Sequence, residues 1–280
     1  AVLAQLWADA SDACINKPGG YVCNGGAPPA AEPAGLVSNA LASVGALVDA
    51  GTVDALRTPP ISPENNSLGV AWIRLPDPIN LTALLIGEVT MFDVSPPEFS
   101  PWTSSIIQTS TATPTCGTAP HNVVILQSSG QANIAVNSVS LGISGTVLVS
   151  TDDTNTTFVG LDGQATVLAV GQQQTLLPGE QISVAHPPGN VSVASAAPSV
   201  PIPLNATYLN NLPVALFDRP LILPQPGFAS TQGTINLRAA PDVYSAAITQ
   251  VPGGQILTIL GRNPDYTWFH VRLENGQTGW

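Results

Sequence analysis

Three histidines, His121, His186 and His270, are the imidazoles that could serve as general bases in this 280-residue chain. Nucleophilic catalysis needs such a base held against a serine or cysteine and oriented by an acid. His121 follows the residues GTAP and His186 precedes two prolines, so both are predicted in loops, whereas His270 lies in a predicted strand. None of them lies in a nucleophile or metal motif. We therefore predict that the protein is not an enzyme.

The segment TDDTNTT offers oxygen ligands of the kind that bind calcium. Asp152, Asp153 and Asn155 are hard donors close together in the sequence. They lack the full acidic-residue spacing of a calcium-binding loop, which favours an acidic hairpin tip over a metal site. No metal and no cofactor are predicted.

The cysteines indicate a disulfide and an oxidising compartment. Cys14 and Cys23 flank the residues INKPGGYV, in which Pro-Gly-Gly can reverse the chain, and we predict that they are bonded. Cys116 is left over. It is either buried and inert, a competitor for one of the other two, or a bridge to another chain.

The charge of the chain restricts its partners. Seven basic residues stand against eighteen acidic ones, a net charge of −11, which argues against nucleic acid and anionic membrane as partners. Charged residues make up 9%, where soluble domains average about 25%. A surface built from uncharged polar residues suits secreted proteins that pack against copies of themselves or carry glycans.

Export is also predicted from the sequence. The chain starts at Ala1 and its one methionine is Met91, which indicates a removed export signal. No apolar run reaches about eighteen residues, so no membrane span is predicted. Five sequons are candidate glycosylation sites, although composition alone also produces some. They are Asn65, Asn80, Asn155, Asn190 and Asn205.

The elements that would position these residues are mostly strands and turns. A first, mainly β domain is predicted over residues 1–115, and it includes a helix predicted over Val2–Ala13. Short strands separated by glycine turns fill residues 116–184, with a hairpin predicted at Asp162–Gly163. Prolines crowd residues 185–232, which are predicted to form a packed linker.

The second of these parts resembles a known family. Residues 140–184 are similar to a FecR-like β domain, an antiparallel barrel or sandwich, with Gly163, Gly171 and the turn Pro178–Glu180 at the positions of the family pattern. This resemblance implies β architecture and a surface location.

A wider stretch, residues 2–203, resembles a secreted domain of filamentous green non-sulfur bacteria. The motifs are an LR-x-x-P stretch (Leu56, Arg57 and Pro60), a GVA strand (Gly69–Ala71) and a GEV strand (Gly87–Val89). The family has no established activity to transfer.

The last part, residues 233–280, resembles a bacterial Src-homology-3 (SH3) domain. It carries NLR-x-x-P (Asn236–Pro241), a turn (Pro252–Gly254), W-x-x-V (Trp268–Val271) and G-x-T-GW (Gly276–Trp280). The resemblance implies a small barrel of a kind that commonly binds cell-wall peptides or glycans. Four aromatic residues are candidates for a ligand groove or interface, with core packing the alternative for Trp268. They are Tyr244, Tyr266, Trp268 and Trp280.

The strand that usually follows the final GW is absent from the sequence, so a strand from elsewhere is expected to complete the barrel. The possible suppliers are the N-terminal segment of a neighbouring copy, an earlier segment of the same chain, or residues beyond Trp280, and we favour the neighbouring copy. The functional hypothesis is accordingly an extracellular structural protein that self-associates into a filament or layer. The alternative is an envelope-binding module whose C-terminal barrel captures peptidoglycan or glycan.

Overall fold

The computed structural model describes residues 2–65, 67–112, 119–219, 221–225, 227–263 and 267–280. The chain forms two compact units, residues 1–220 and 221–280. The mainly β prediction with one short N-terminal helix is confirmed. No helix in the described ranges combines the length and the apolar character needed to cross a membrane.

The first unit begins with helix α1 (Val2–Cys14), at the predicted place. Leu3, Leu6, Trp7 and Ala10 recur on one side at helical spacing, and Ala10 and Cys14 are buried. Cys14 ends the helix and is disulfide-bonded to Cys23, with the two Cα atoms 5.9 Å apart. The helix is thereby tied to the first strand of the sheet, in which Cys23 lies.

Replacing both cysteines, in Cys14→Ala/Cys23→Ala, should lower the free energy of unfolding by about 2–3 kcal/mol on the chain-entropy account of a short closed loop. Urea unfolding with and without reductant measures this loss. Reductant should destabilise the wild type and leave the double variant unchanged. Recovery of a Cys14–Cys116 or Cys23–Cys116 peptide in non-reducing peptide mapping would overturn the pairing.

Most of the first unit is one curled sheet. Besides α1 it has one short helix, α2 (Leu36–Ala40). Its strands within the described residues are β1 (Tyr21–Asn24), β2 (Ala30–Glu32), β3 (Leu47–Asp49), β4 (Ala55–Thr58), β5 (Val70–Arg74), β6 (Leu81–Ile86), β7 (Val89–Asp93), β8 (Ser104–Thr109), β9 (Val123–Val136), β10 (Val139–Thr151), β11 (Asn155–Ala169), β12 (Gln172–Leu176), β13 (Glu180–Ala185) and β14 (Ile202–Pro203).

The strand order of this sheet joins regions that are distant in sequence. The main path is β14-β13-β11-β10-β9-β6-β5-β1-β3, with β12 on β11 and the series β2-β4-β7-β8 leading back to β9. Strands β8 and β9 pair in parallel, and β6 pairs with β9 antiparallel. Strands on both sides of the predicted boundary at residue 115 thus share one sheet. One continuous core lies beneath it, with Val22, Leu85, Val124 and Ile182 among its fully buried members.

The hairpin predicted at Asp162–Gly163 is wrong, because β11 runs straight through these residues. Gly163 has a φ of 67° and Gly145, opposite it on β10, has a φ of 134°. The register of β10 on β11 shifts next to Gly163, between Thr146 and Val147, so a β-bulge lies there instead of a turn, and the two strands stay paired on both sides of it. The tight turns of this region lie at Asn137–Ser138 and Val170–Gly171. In each turn both residues have a positive φ.

The predicted packed linker lies partly against this sheet. Residues 204–219, here called the strap, contain two turns of 3₁₀ helix, Ala206–Leu209 and Val214–Leu216. Five of its large apolar side chains are buried: Leu204, Leu209, Leu212, Leu216 and Phe217. The indole Nε1 of Trp72 on β5 donates a hydrogen bond to the carbonyl oxygen of Leu216 over 3.2 Å. The strap is therefore part of the first unit.

The second unit is a small set of curled strands. They are β15 (Gly227–Ser230), β16 (Ile235–Arg238), β17 (Ala247–Val251), β18 (Ile256–Arg262), β19 (Phe269–Arg272) and β20 (Thr278–Gly279). Strands β15, β18, β19 and β20 form one sheet, and β16 pairs with β17. The core between them consists of Leu237, Val251, Leu257 and Val271.

An earlier segment of the same chain supplies a strand to this unit, since β15 precedes Gly233 and pairs with β18. Trp280 follows β20 and exchanges two backbone hydrogen bonds with Arg238 of β16, of 2.7 and 2.8 Å. These bonds link the two sheets. Gly279 permits the approach, because a Cβ there would lie 2.8 Å from the carbonyl oxygen of Arg238.

Candidate functional site

The three histidines lie in separate surroundings. The ring of His121 lies 6.0 Å from that of Tyr208, and buried His186 contacts the carbonyl oxygen of Pro187 through Nδ1 at 3.1 Å. His270 lies beside Trp280, with 5.1 Å between ring centroids. In the part of the chain that the structure describes, none of the three is hydrogen-bonded to a serine, a cysteine or an acid. The arrangement that nucleophilic catalysis needs is not assembled there.

The acidic segment at Asp152 forms a closed turn. Its Oδ1 accepts hydrogen bonds from the backbone N–H groups of Thr154 and Asn155, both over 2.8 Å. Burial raises the pKa of Asp152, but the hydrogen bonds from Thr154 and Asn155 outweigh burial and lower the pKa overall. The turn thus already occupies one oxygen of this carboxylate. No group of three potential ligand side chains that could hold a metal occurs among the described residues.

The remaining predicted residues are spread over the surface. Asn155 is half-buried, and the other four sequon asparagines are exposed: Asn65, Asn80, Asn190 and Asn205. Glycosylation of any of them stays a prediction. Cys116 and Tyr266 lie outside the described residues.

An aromatic groove in the second unit is the candidate binding site. It has a volume of about 440 Å³ and lies at the mouth of the small core. We call it the barrel groove and define it by Gln232, Ile235, Asn236, Trp268, Phe269 and Trp280. None of the described residues that line it is charged. Apolar clefts with a few polar groups are the usual form of a binding site.

Local hydrogen bonds hold the aromatic residues of the barrel groove in place. The side chain of Asn263 accepts hydrogen bonds through Oδ1 from the backbone N–H groups of Thr267 (3.0 Å) and Trp268 (2.8 Å), which fixes the entry into β19. Trp280 is fixed through its backbone pairing with Arg238. Both tryptophans are half-buried, so part of each is accessible to a ligand.

Polar groups and a neutral imidazole complete the surroundings. Gln232 and Asn236 are exposed, and within the described ranges their side chains have no hydrogen-bond partner. Burial lowers the pKa of His270 below its ordinary value of 6.5, so the ring against Trp280 is mostly neutral at pH 7. The barrel groove thus offers aromatic faces and free amides without a formal charge.

Of the four aromatic residues predicted as a ligand site, the structure brings Trp268 and Trp280 together in the barrel groove. Tyr244 is 92% exposed in a loop and does not line it. Phe269 lines the groove but was not predicted. A signal for it exists in the sequence, since Phe269 precedes the core residue Val271 by two positions and so shares its face of β19.

Comparison with known proteins gives one informative match. A family model described as bacterial SH3 domain matches residues 233–280, which confirms the resemblance of that segment. No curated protein sequence matches the chain. A solved structure described as a "putative anti-sigma factor" from Parabacteroides distasonis is 12% identical, with 67% of this chain and 79% of that chain covered and a TM-score of 0.31. That score is too low to establish a shared fold.

Proposed function

We propose that the protein is a non-catalytic envelope-binding module and that the barrel groove holds peptidoglycan. The observation that carries the proposal is an uncharged aromatic groove whose three aromatic residues, Trp268, Phe269 and Trp280, all lie in the segment that matches a bacterial SH3 domain. Domains of this kind commonly bind cell-wall peptides or glycans. The disulfide and this domain are both consistent with a cell-envelope or extracellular location.

The chemistry of the groove suits such a ligand. Sugar rings present apolar C–H faces, and the half-buried indoles of Trp268 and Trp280 offer flat apolar surfaces for them. The amides of Gln232 and Asn236 can exchange hydrogen bonds with acetamido or peptide groups. A protein with a net charge of −11 binds an ordinary anionic polymer poorly, so contact through uncharged groups is the favourable mode.

The low charge that motivates the filament hypothesis suits a glycan-binding surface equally well. Self-association stays a hypothesis from the sequence, and it needs a measurement of its own. Sedimentation velocity of the purified chain would supply it, because polymers and monomers differ strongly in sedimentation coefficient.

Trp280→Ala should weaken binding to purified peptidoglycan sacculi about thirtyfold, because a tryptophan at the centre of an interface contributes about 2 kcal/mol or more. The substitution keeps the backbone hydrogen bonds to Arg238. Cosedimentation of the full chain with sacculi measures the Kd.

Phe228→Ala is the matched control for this measurement, since it removes a ring that is 75% exposed in the same unit and does not line the groove. Wild-type affinity in a folded Trp280→Ala variant would place binding elsewhere. A wild-type protein that stays in the supernatant would refute the proposed function.

A further inference from the structure

The first unit has a larger cleft on the outer face of its sheet, independent of the barrel groove. It has a volume of about 570 Å³ and lies between the chain preceding β8 and strands β9, β10, β11 and β12. We call it the sheet cleft and define it by Phe99, Asn133, Ser140, Gly142, Thr166 and Gln173. None of the described residues that line it is charged.

The floor of the sheet cleft follows from strand register. Gly142 pairs with Asn133 on one side and Thr166 on the other. A second row, two residues along, joins Ser140 to Leu168, and Leu168 to Gln173. Because side chains alternate along a strand and the residues between these rows are buried, both rows face outward. Four of the five outward side chains in these rows carry a hydroxyl or an amide, and the fifth is Leu168.

Neighbouring polar side chains close over Gly142 in this floor. A Cβ at that position would lie 2.7 Å from Oγ1 of Thr166, 3.0 Å from Nε2 of Gln131 and 3.2 Å from Oδ1 of Asn133. Three polar side chains therefore converge over a residue that has no side chain. Among the described residues, the structure gives none of these three side chains a hydrogen-bond partner. Their donors and acceptors are available to a ligand.

An aromatic residue forms one wall of the sheet cleft. Phe99 is 61% exposed, and its backbone N–H donates to the carbonyl oxygen of Pro96 over 2.9 Å. Hydrogen bonds between Ser95 and Ser104 hold the base of this loop on β8. An exposed phenyl ring on a hydrogen-bonded loop offers a face for stacking, and the backbone of the loop does not have to be ordered on binding.

From these features we infer that the sheet cleft binds an uncharged polysaccharide. Hydroxyls and amides on the floor match the hydroxyls of sugar rings, and Phe99 offers a face to their C–H groups. Neither a cationic nor an anionic ligand would find a countercharge among the described lining residues. The second row continues from Ser140 to Ala135 on β9 and Ser104 on β8. It therefore crosses five strands, β8 to β12, a distance of about 19 Å, which is long enough for several linked sugars.

Affinity electrophoresis of the full chain tests this site. The gels contain hydroxyethylcellulose, dextran or galactomannan as neutral polymers, and polygalacturonate as a charged one. At least one neutral polymer should retard the protein, and polygalacturonate should not. Phe99→Ala and Gly142→Val should each raise the Kd at least tenfold. The first removes the stacking face, and the second displaces the three polar side chains that lie over Gly142.

Two comparisons distinguish binding in the sheet cleft from misfolding and from binding in the barrel groove. Phe99 is exposed, so Phe99→Ala reports on binding even if Gly142→Val fails to fold, and Phe228→Ala is the control for loss of an exposed ring. Retardation by none of the neutral polymers would overturn the proposal, and so would equal retardation by polygalacturonate. Binding that Trp280→Ala abolishes while Phe99→Ala preserves it would belong to the barrel groove and would overturn it too.

Discussion

Asp218→Ala is expected to lower the free energy of unfolding of the first unit by about 3–5 kcal/mol, because it leaves a buried guanidinium without its counterion. Arg74 on β5 donates to both carboxylate oxygens of Asp218, over 3.0 and 2.5 Å, and Thr82 donates to one of them over 2.6 Å. The Arg74 side chain is only 7% exposed and that of Asp218 23%. This pair fixes the end of the strap to the sheet.

Urea unfolding followed by tryptophan fluorescence measures this loss, since the buried indole of Trp72 donates to Leu216 in the strap. The matched control is Arg57→Ala. It breaks the ion pair with Glu88, in which the arginine side chain is 61% exposed, and such pairs contribute about 0–1 kcal/mol. Equal, small effects of the two substitutions would show that the strap does not depend on the buried pair.

Local features of this fold could be predicted from the sequence. The spacing of Leu3, Leu6 and Trp7 predicts α1, because one turn of an α-helix takes 3.6 residues. The Pro-Gly-Gly between Cys14 and Cys23 predicts a reversal that lets the two sulfurs meet. In each case the residues that determine the structure are close in sequence, so the local sequence pattern is sufficient to predict it.

Features that depend on distant residues could not be predicted. Arg74 and Asp218 are 144 positions apart, and neither has a local pattern that marks it as a partner. The parallel pairing of β8 with β9 joins strands that turn signals had assigned to different parts of the chain. The pair Asp162–Gly163 failed for a related reason. The positive φ of Gly163 suits both a hairpin turn and a continuous strand beside a bulge, and the long register of β10 on β11 decides between them.

The two candidate binding sites differ in the same way in how far the sequence predicts them. Trp268 and Trp280 were predicted as ligand residues from the domain resemblance, and their placement in one groove follows from strand pairing. The sheet cleft was not predicted, because its floor combines single hydroxyls and amides from separate strands. No segment of the sequence contains enough of them to form a motif.

Gly69→Ala should have the second large effect on stability, a loss of more than about 4 kcal/mol, because the added methyl group would meet backbone atoms that cannot move away. A Cβ on Gly69 would lie 1.7 Å from the carbonyl oxygen of Pro59 and 2.8 Å from that of Gly87. Gly87 also donates its N–H to the carbonyl oxygen of Gly69 over 2.7 Å. Three chain segments therefore meet backbone to backbone at this glycine.

This meeting point gives a physical reason for three sequence motifs that are far apart in the chain. The stretch LR-x-x-P contains Pro59, GVA begins at Gly69 and GEV begins at Gly87, so all three contribute backbone to one contact. Thermal unfolding should show Gly69→Ala to be severely destabilised or unfolded. Gly130→Ala is the control, since a Cβ at Gly130 meets nothing within 4 Å and its cost should stay within about 1 kcal/mol. If both variants melt at the wild-type temperature, the three motifs need an explanation other than close backbone packing.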